Sequence, residues 1–389
     1  MDSDCPKSAN GKTLFDGVEL KVYDRVLSPE TISGFLSRMD DWPPEDCKLD
    51  GLVWPPEDEE IKKMLTPEAL REWDYDIFRF NEITNRHPLF WITMAVLHFY
   101  ELPQKLQIDK DRLRRFLATV ESGYNDCIYH NSLHAADVTH ALHCLLDCQE
   151  TWRSFSPEEL FACILAAGIH DLGHPGVTNM YMVKLKHPVA LRYENICVLE
   201  NHSWSMAQTL LESPKFDPLS HLSLERRKEL QSMIRGQVLR TDMTLHYELT
   251  KEIIAFAATR DGEPAEGRLS SPLNLADDTQ RRAALQLLVH SADLSNLCKR
   301  WDIHIQWSHA ILSEFFSQGD YEKHQGLPVS EIGIRNICNG RTAQKNFIGN
   351  IVLALYKLCG QALPSTKGVC DASIEQMEKN YARWVELKY

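Results

Sequence analysis

From Thr66 onward, apolar residues recur every three or four positions, the spacing of helices that bury one face. Leu113, Phe116, Leu117 and Val120 follow it across Asp109–Ser122, with Asp109 placed to cap the helix. Thr66-Pro67-Glu68 reads as another helix start. Ser156-Pro157-Glu158-Glu159 has the form of a capping box, and Phe161–Ile169 behind it is so evenly apolar that it predicts a buried helix. Further helices are predicted over Val198–Glu212, Ser223–Arg240, His246–Ala258, Asp277–Ser291, Asp302–Gln318 and Gln344–Cys359, each bounded by Pro, Gly or small polar residues. Alternating β pattern is nowhere sustained, so the predicted class is all-α: one domain over residues 66–389, too long for a simple four-helix bundle.

Residues 1–65 differ. They carry two Trp-Pro-Pro-Glu copies, Trp42–Glu45 and Trp54–Glu57, among many acidic residues. Proline pairs cannot continue a helix and bias the preceding residue to extended geometry. The segment reads as an extended arm or linker on the main body, with one short helix near Pro29–Met39, and the two copies read as coincidence rather than repeat. Arg260–Leu275, rich in Gly, Pro and Ser, is the candidate mobile insertion.

Composition narrows the function classes. Of 389 residues, 43% are hydrophobic and 25% charged, which excludes disordered and fibrous classes. A net charge of −13 argues against a chain that wraps nucleic acid, while leaving room for a local cationic pocket for one phosphate. Eleven cysteines scatter from Cys5 to Cys370 without a C-x-x-C pair, so reduced thiols in a cytoplasmic protein are expected. Neither a signal-peptide core nor an apolar run of about 18 residues is present, so no transmembrane segment is expected.

The candidate chemistry concentrates between Tyr129 and His174. Tyr-His-Asn-Ser-Leu-His opens the stretch and His-Asp-Leu-Gly-His-Pro-Gly follows its predicted buried helix. His130 and His134 are four apart, one face of a helix, and His170-Asp171 suits a helix end. Imidazole with carboxylate is a donor set for Zn²⁺ or a similar ion, and a second carboxylate oxygen can serve a second ion. Hydrogen-bonded core histidines are the plainer alternative, weakened by two clusters occurring together. Asp293 follows an apolar helix and is a further candidate ligand, although a single Asp at a helix end is more often solvated.

Taken in order, Tyr-His-Asn-x-x-His-Ala-Ala-Asp-Val (from Tyr129), His-Asp-x-x-His-Pro-Gly (from His170), Leu-Glu-Asn-His (Leu199–His202), Ala-Asp-Leu-Ser-Asn (Ala292–Asn296) and Gln-x-x-Phe-Ile (from Gln344) resemble the catalytic domain of class I cyclic nucleotide phosphodiesterases. The resemblance runs from about Glu68 to the C-terminus. It implies a helical domain of three subdomains, of the HD-domain type, with a metal pair at their junction. By position it makes His134, His170, Asp171 and Asp293 the ligands of a tight ion, Zn²⁺, and lets Asp171 reach a second, Mg²⁺ or Mn²⁺, held mostly by water. His130 matches the general acid that protonates the leaving 3′ oxygen. His174 and Glu200 match outer-shell positions, with His202 in the same turn. Ser203 and Gly173 stand where the family often has His and an acidic residue.

The resemblance also assigns a substrate pocket. Gln344 matches the glutamine that reads the base, with Phe347 and Ile311 as two jaws of a clamp and Tyr129, Met243 and Phe315 along the walls. Asn296 matches a position where Asn accompanies cAMP selectivity, while His304 replaces a frequent aromatic. The implied function is hydrolysis of a cyclic nucleotide to its 5′-monophosphate, cAMP favoured and cGMP possible. A phosphohydrolase of the wider His-Asp group and a non-catalytic nucleotide-binding module are the alternatives. A regulatory domain or partner outside this chain is left open.

Overall fold

The computed structural model describes residues 14–15, 18–19, 26–39, 42–43, 49, 51–257, 269–335 and 340–387. Apart from a two-residue antiparallel pairing of Leu14–Phe15 with Val18–Glu19, the described elements are helical. The all-α expectation holds. Most of Arg260–Leu275, the expected mobile insertion, lies outside the described residues.

Four helices form the centre. Pro88–Phe99 packs on Ser132–Asp147, which packs in turn on Pro157–Ile169 and Asp278–Asp293. Ser156 and Glu159 close the predicted capping box reciprocally. Asp109, Ser223 and Asp277 cap their helices as side-chain acceptors, so the predicted starts fall within a residue of those observed.

Several expectations need correction. The two histidine motifs are joined by two helices, Ser132–Asp147 and Pro157–Ile169, with a turn over Cys148–Ser154 between them. Thr66 does cap a helix, but only the single turn Pro67–Leu70. The helix predicted to end at Gln318 continues from Trp301 to His324, and Gln344–Cys359 is broken into Gly340–Phe347, a wide turn over Ile348–Val352, and Leu353–Ala362. In the first 65 residues, the expected short helix is Pro29–Arg38, whose Ile32, Phe35 and Leu36 enter the common core, and a second helix, Glu59–Met64, was not anticipated. The two Trp-Pro pairs dock at different places. Trp42 donates its indole N–H to the Met206 carbonyl at 2.9 Å, and Trp54 stacks 4.7 Å from His98.

The long helix Trp301–His324 carries a buried polar ridge of residues four apart. Glu314 faces His130, Gln318 accepts from the Thr178 backbone N–H at 2.8 Å, and Glu322 takes Lys184 Nζ at 2.9 Å with the Ser330 N–H and hydroxyl at 2.5 Å. The following loop is pressed onto this helix where Gly319 meets Gly333. A Cβ on Gly319 would lie 2.2 Å from the Gly333 carbonyl oxygen. Only glycine permits that approach.

Candidate active site

Four ligand-type side chains converge from three chain segments. His134 stands in the first turn of Ser132–Asp147, started by Asn131, whose side-chain Oδ1 accepts the Leu133 and His134 N–H groups. His170 and Asp171 follow Pro157–Ile169, and Asp293 ends Asp278–Asp293. His134 Nε2 lies 3.0 Å from Asp293 Oδ1 and 3.7 Å from Asp171 Oδ2. His170 Nε2 lies 3.1 Å from Asp171 Oδ2 and 3.3 Å from Asp293 Oδ1.

The arrangement fits a cation. His170 Nε2 is buried close to both carboxylates yet is aligned for a hydrogen bond with neither. Its other nitrogen, Nδ1, is 2.9 Å from the Ala167 carbonyl, the kind of contact that fixes a ligating imidazole in one tautomer. One donor atom each from His134, His170 and Asp293 falls within a 4.8 Å cluster, a group that can hold a metal ion. Burial alone would raise the Asp293 pKa, but His170 and His134 outweigh it and hold the carboxylate well below its usual range. Asp171 is held low in the same way, chiefly by His170 and then His130.

His130 does not share a helical face with His134. It precedes the helix, before the capping Asn131, and its ring centroid lies 6.2 Å from that of His134. What places it is Glu314. One carboxylate oxygen of Glu314 bonds His130 Nδ1, and the other accepts the backbone N–H groups of Tyr129 at 2.8 Å and His130 at 3.3 Å. Burial disfavours the charged ring, but Glu314 and then Asp171 more than offset this and raise the His130 pKa to about 9. His174 stacks on it with centroids 4.0 Å apart, and burial beside His130 drops the His174 pKa to about 3. A cationic imidazole thus lies on a neutral one.

Glu200 accepts from Asn179 Nδ2 on both carboxylate oxygens, at 3.1 and 2.9 Å, and the same Nδ2 also reaches Asp242 Oδ2 at 3.4 Å. Burial and the neighbouring Asp242 raise its pKa to about 8. His202 is buried against Gly173, whose φ of +77° and 2.4 Å Cβ distance to Met206 Sδ would strain any larger residue there. Tyr129 connects the two halves of the site. Its ring lies 4.6 Å from His134, and its hydroxyl accepts the Asn296 amide at 2.6 Å. Ile311 and Phe315 sit one turn apart on Trp301–His324, half-buried. Gln344 and Phe347 belong to the next helix, with Gln344 buried and its Oε1 unpartnered among the described residues. Met243 opens the turn Met243–Leu245 and is 37% exposed.

Sequence reasoning passed over Glu314, Asn179 and Asp242, and the pair of Asp137 with the fully buried Lys299. Glu314 did leave a signal: with Gln318 and Glu322 it forms a polar line through a helix whose neighbours Ile311, Phe315 and Phe316 are apolar.

A helical domain with a buried His-Asp cluster beside a His-Glu pair is the architecture of a metal-dependent phosphohydrolase. Residues 129–373 match the family model for 3'5'-cyclic nucleotide phosphodiesterase, well over half the chain. The chain is also 34% identical over 302 residues to 3',5'-cyclic-AMP phosphodiesterase 4C of Rattus norvegicus, covering 77% of this chain and 55% of that protein. The Mus musculus protein of the same name gives 34% over 302 residues and 43% of its length. The chain therefore belongs to the 3'5'-cyclic nucleotide phosphodiesterase family, and it spans about half the length of the curated relatives it matches. No described helix is long and apolar enough to cross a membrane.

Proposed function

We propose that this chain hydrolyses cyclic nucleotides to their 5′-monophosphates, cAMP in preference to cGMP, with residues 66–389 as the catalytic unit and 1–65 as an arm upon it. The observation that carries the proposal is the pairing of His130 with Glu314 beside the His134, His170, Asp171 and Asp293 cluster. Those four residues would hold Zn²⁺, with Asp171 also facing a second ion, Mg²⁺ or Mn²⁺. Divalent ions bound there supply Lewis-acid polarisation of the phosphoryl oxygens and activation of water.

The remaining chemistry belongs to the side chains. His130 Nδ1 is committed to Glu314, so Nε2–H is the proton offered to the leaving ribose oxygen. Glu314 fixes the ring and stabilises its charge, the role a buried carboxylate plays behind a catalytic histidine. His174, kept neutral by burial, does not compete for that charge. Glu200 and His202 orient the outer shell of the centre, with Asn179 as the Glu200 partner.

In the pocket, Phe347 and Ile311 clamp the base while Phe315, Met243 and Tyr129 line the space around it. Asn296 has its Nδ2 on Tyr129, which leaves Oδ1 as an acceptor for the amino group of adenine. A second reading, use of both nucleotides, rests on Gln344. His304 is held by Trp384 at 2.8 Å and by the Asn296 carbonyl at 3.2 Å, so it stays away from the Gln344 amide, which can then turn to suit either base. The eight free cysteines among the described residues suit a cytoplasmic setting.

The test is release of 5′-nucleotide from cAMP and cGMP, with Mg²⁺ and with a chelator. Turnover of cAMP that the chelator abolishes is expected. No turnover of either nucleotide with Mg²⁺ present would remove the proposal and leave the binding-module reading.

A further inference from the structure

Trp42 brings the N-terminal arm to the loop that carries the candidate metal ligands. Besides its bond to the Met206 carbonyl, it lays its six-membered ring on Gly123, the last residue of Lys110–Gly123. A Cβ on Gly123 would lie 2.5 Å from both Cη2 and Cζ3 of Trp42, and 2.8 Å from Leu172 Cδ1. Ring and leucine therefore close on the same bare spot of backbone. Leu172 is fully buried and directly follows Asp171. Met206, on Val198–Glu212, presses on the next residue, its Sδ only 2.4 Å from where a Gly173 Cβ would be. Trp42 thus bears on the loop at two places, at Leu172 over Gly123 and at Gly173 through Met206.

The loop itself is a tight turn. The Leu172 N–H donates to the Ile169 carbonyl at 3.0 Å, and the His174 N–H to the Asp171 carbonyl at 3.0 Å. Residues just after Gly123 hold its outer carbonyls. Asn125 Nδ2 donates to those of Gly173 at 3.1 Å and His174 at 3.0 Å, and Cys127 Sγ donates to that of His174 at 3.2 Å. The Tyr124 hydroxyl donates to the Gly168 carbonyl at 2.9 Å, just ahead of the loop. Gly123 is where this brace leaves its helix, and Trp42 covers it.

Filling a surface gap is the plainer role for a partly buried tryptophan. Two features go beyond it. Glycine at a helix end usually answers a left-handed turn, but the φ of Gly123 is not positive; its missing side chain makes room for the ring instead. The indole N–H, fixed on a carbonyl, also sets the angle of the ring as well as its depth. At its other anchors the arm meets helices. The Leu27 N–H donates to Ser317 Oγ at 3.0 Å, Arg114 donates to the Leu49 and Leu52 carbonyls, and Trp54 stacks on His98.

We propose that Trp42 is a positioning residue for the metal loop, holding the Asp171–His174 turn in the shape that keeps the second divalent ion. The inference rests on the metal-dependent reading above. In that reading the tight ion has three further ligands, His134, His170 and Asp293, whereas the second ion has Asp171 and otherwise water. Freedom in the turn is therefore felt first at the second ion. The catalytic unit accordingly reaches back into the arm, as far as Trp42.

The full chain and its variants are titrated with Mn²⁺, free ion being read by electron paramagnetic resonance, and zinc content is measured by elemental analysis. Trp42→Ala is expected to raise the Mn²⁺ Kd about tenfold, the low end of what loss of a supporting residue costs a bound metal, with zinc content unchanged. Trp42→Phe, which keeps a ring but not the N–H, should fall between. Trp54→Ala, which loosens another anchor of the arm, should bind Mn²⁺ as the wild type does. A wild-type Kd in both Trp42 variants, or an equal loss in Trp54→Ala, would overturn the proposal. Absence of Mn²⁺ binding in the wild type would instead overturn the metal-dependent reading beneath it. Should Trp42→Ala not fold, the comparison of Trp42→Phe with Trp54→Ala decides.

Discussion

Asn296 donates its side-chain amide to the hydroxyl of Tyr129 at 2.6 Å, a buried bond between residues 167 positions apart that fixes how the amide is turned. Removing the hydroxyl frees the amide to rotate. Tyr129→Phe is expected to lower the ratio of kcat/KM for cAMP over cGMP by up to about tenfold, the worth of one buried hydrogen bond of ~1 kcal/mol or a little more. Steady-state kinetics on both nucleotides check this, and an unchanged ratio would show that Asn296 does not discriminate.

The bond from Glu314 to His130 makes the proposed general acid dependent on a carboxylate. His130 carries its proton below a pKa raised to about 9 and loses it above, so activity should fall on the alkaline side. Glu314→Gln removes the main influence raising that pKa. The alkaline limb of the kcat profile should then move to lower pH by roughly one to three units, the usual effect of one close opposite charge. His130→Ala should lower kcat about 10²–10⁴-fold with metal content retained.

Asp293 reaches both His134 and His170 from the end of its own helix. Asp293→Ala is expected to lose the tightly held metal, read by elemental analysis, while the helical circular dichroism is kept. Full metal content in this variant would place the ligand elsewhere.

Gly319 and Gly333 touch backbone to backbone, so Gly319→Ala requires the loop to lift away. A loss of about 1–3 kcal/mol in unfolding free energy is expected, as for overpacking of a buried contact. The KM for cyclic nucleotide should rise with it, because the proposal puts Gln344, eleven residues beyond Gly333, on the base. Chemical denaturation and kinetics on one preparation separate the two effects.

Much of this was legible in the sequence because helices announce themselves locally. Asp109, Ser156, Ser223 and Asp277 mark helix starts by capping chemistry that needs only the next three residues. His134, His170, Asp171 and Asp293 are brought together in the structure, and short motifs had already singled them out. The contacts between distant segments were not legible. Glu314 meets His130 across 184 positions, and nothing near either residue records it. Local spacing misled at His130, where a four-residue offset suggested a shared helical face and the chain instead starts its helix at Asn131. The interruption at Ile348–Val352 was equally hidden, since a wide turn keeps helical spacing while changing which side faces inward.

The ridge of Glu314, Gln318 and Glu322 makes the long helix a spacer of fixed phase. One residue added or removed between Glu314 and Glu322 turns everything beyond it by about 100°. Glu322 would then leave Lys184 and Ser330 for solvent while Glu314 stayed on His130. Outside the ridge and Gly319, this stretch can accept exchanges of side chain, but nowhere can it accept a change of length.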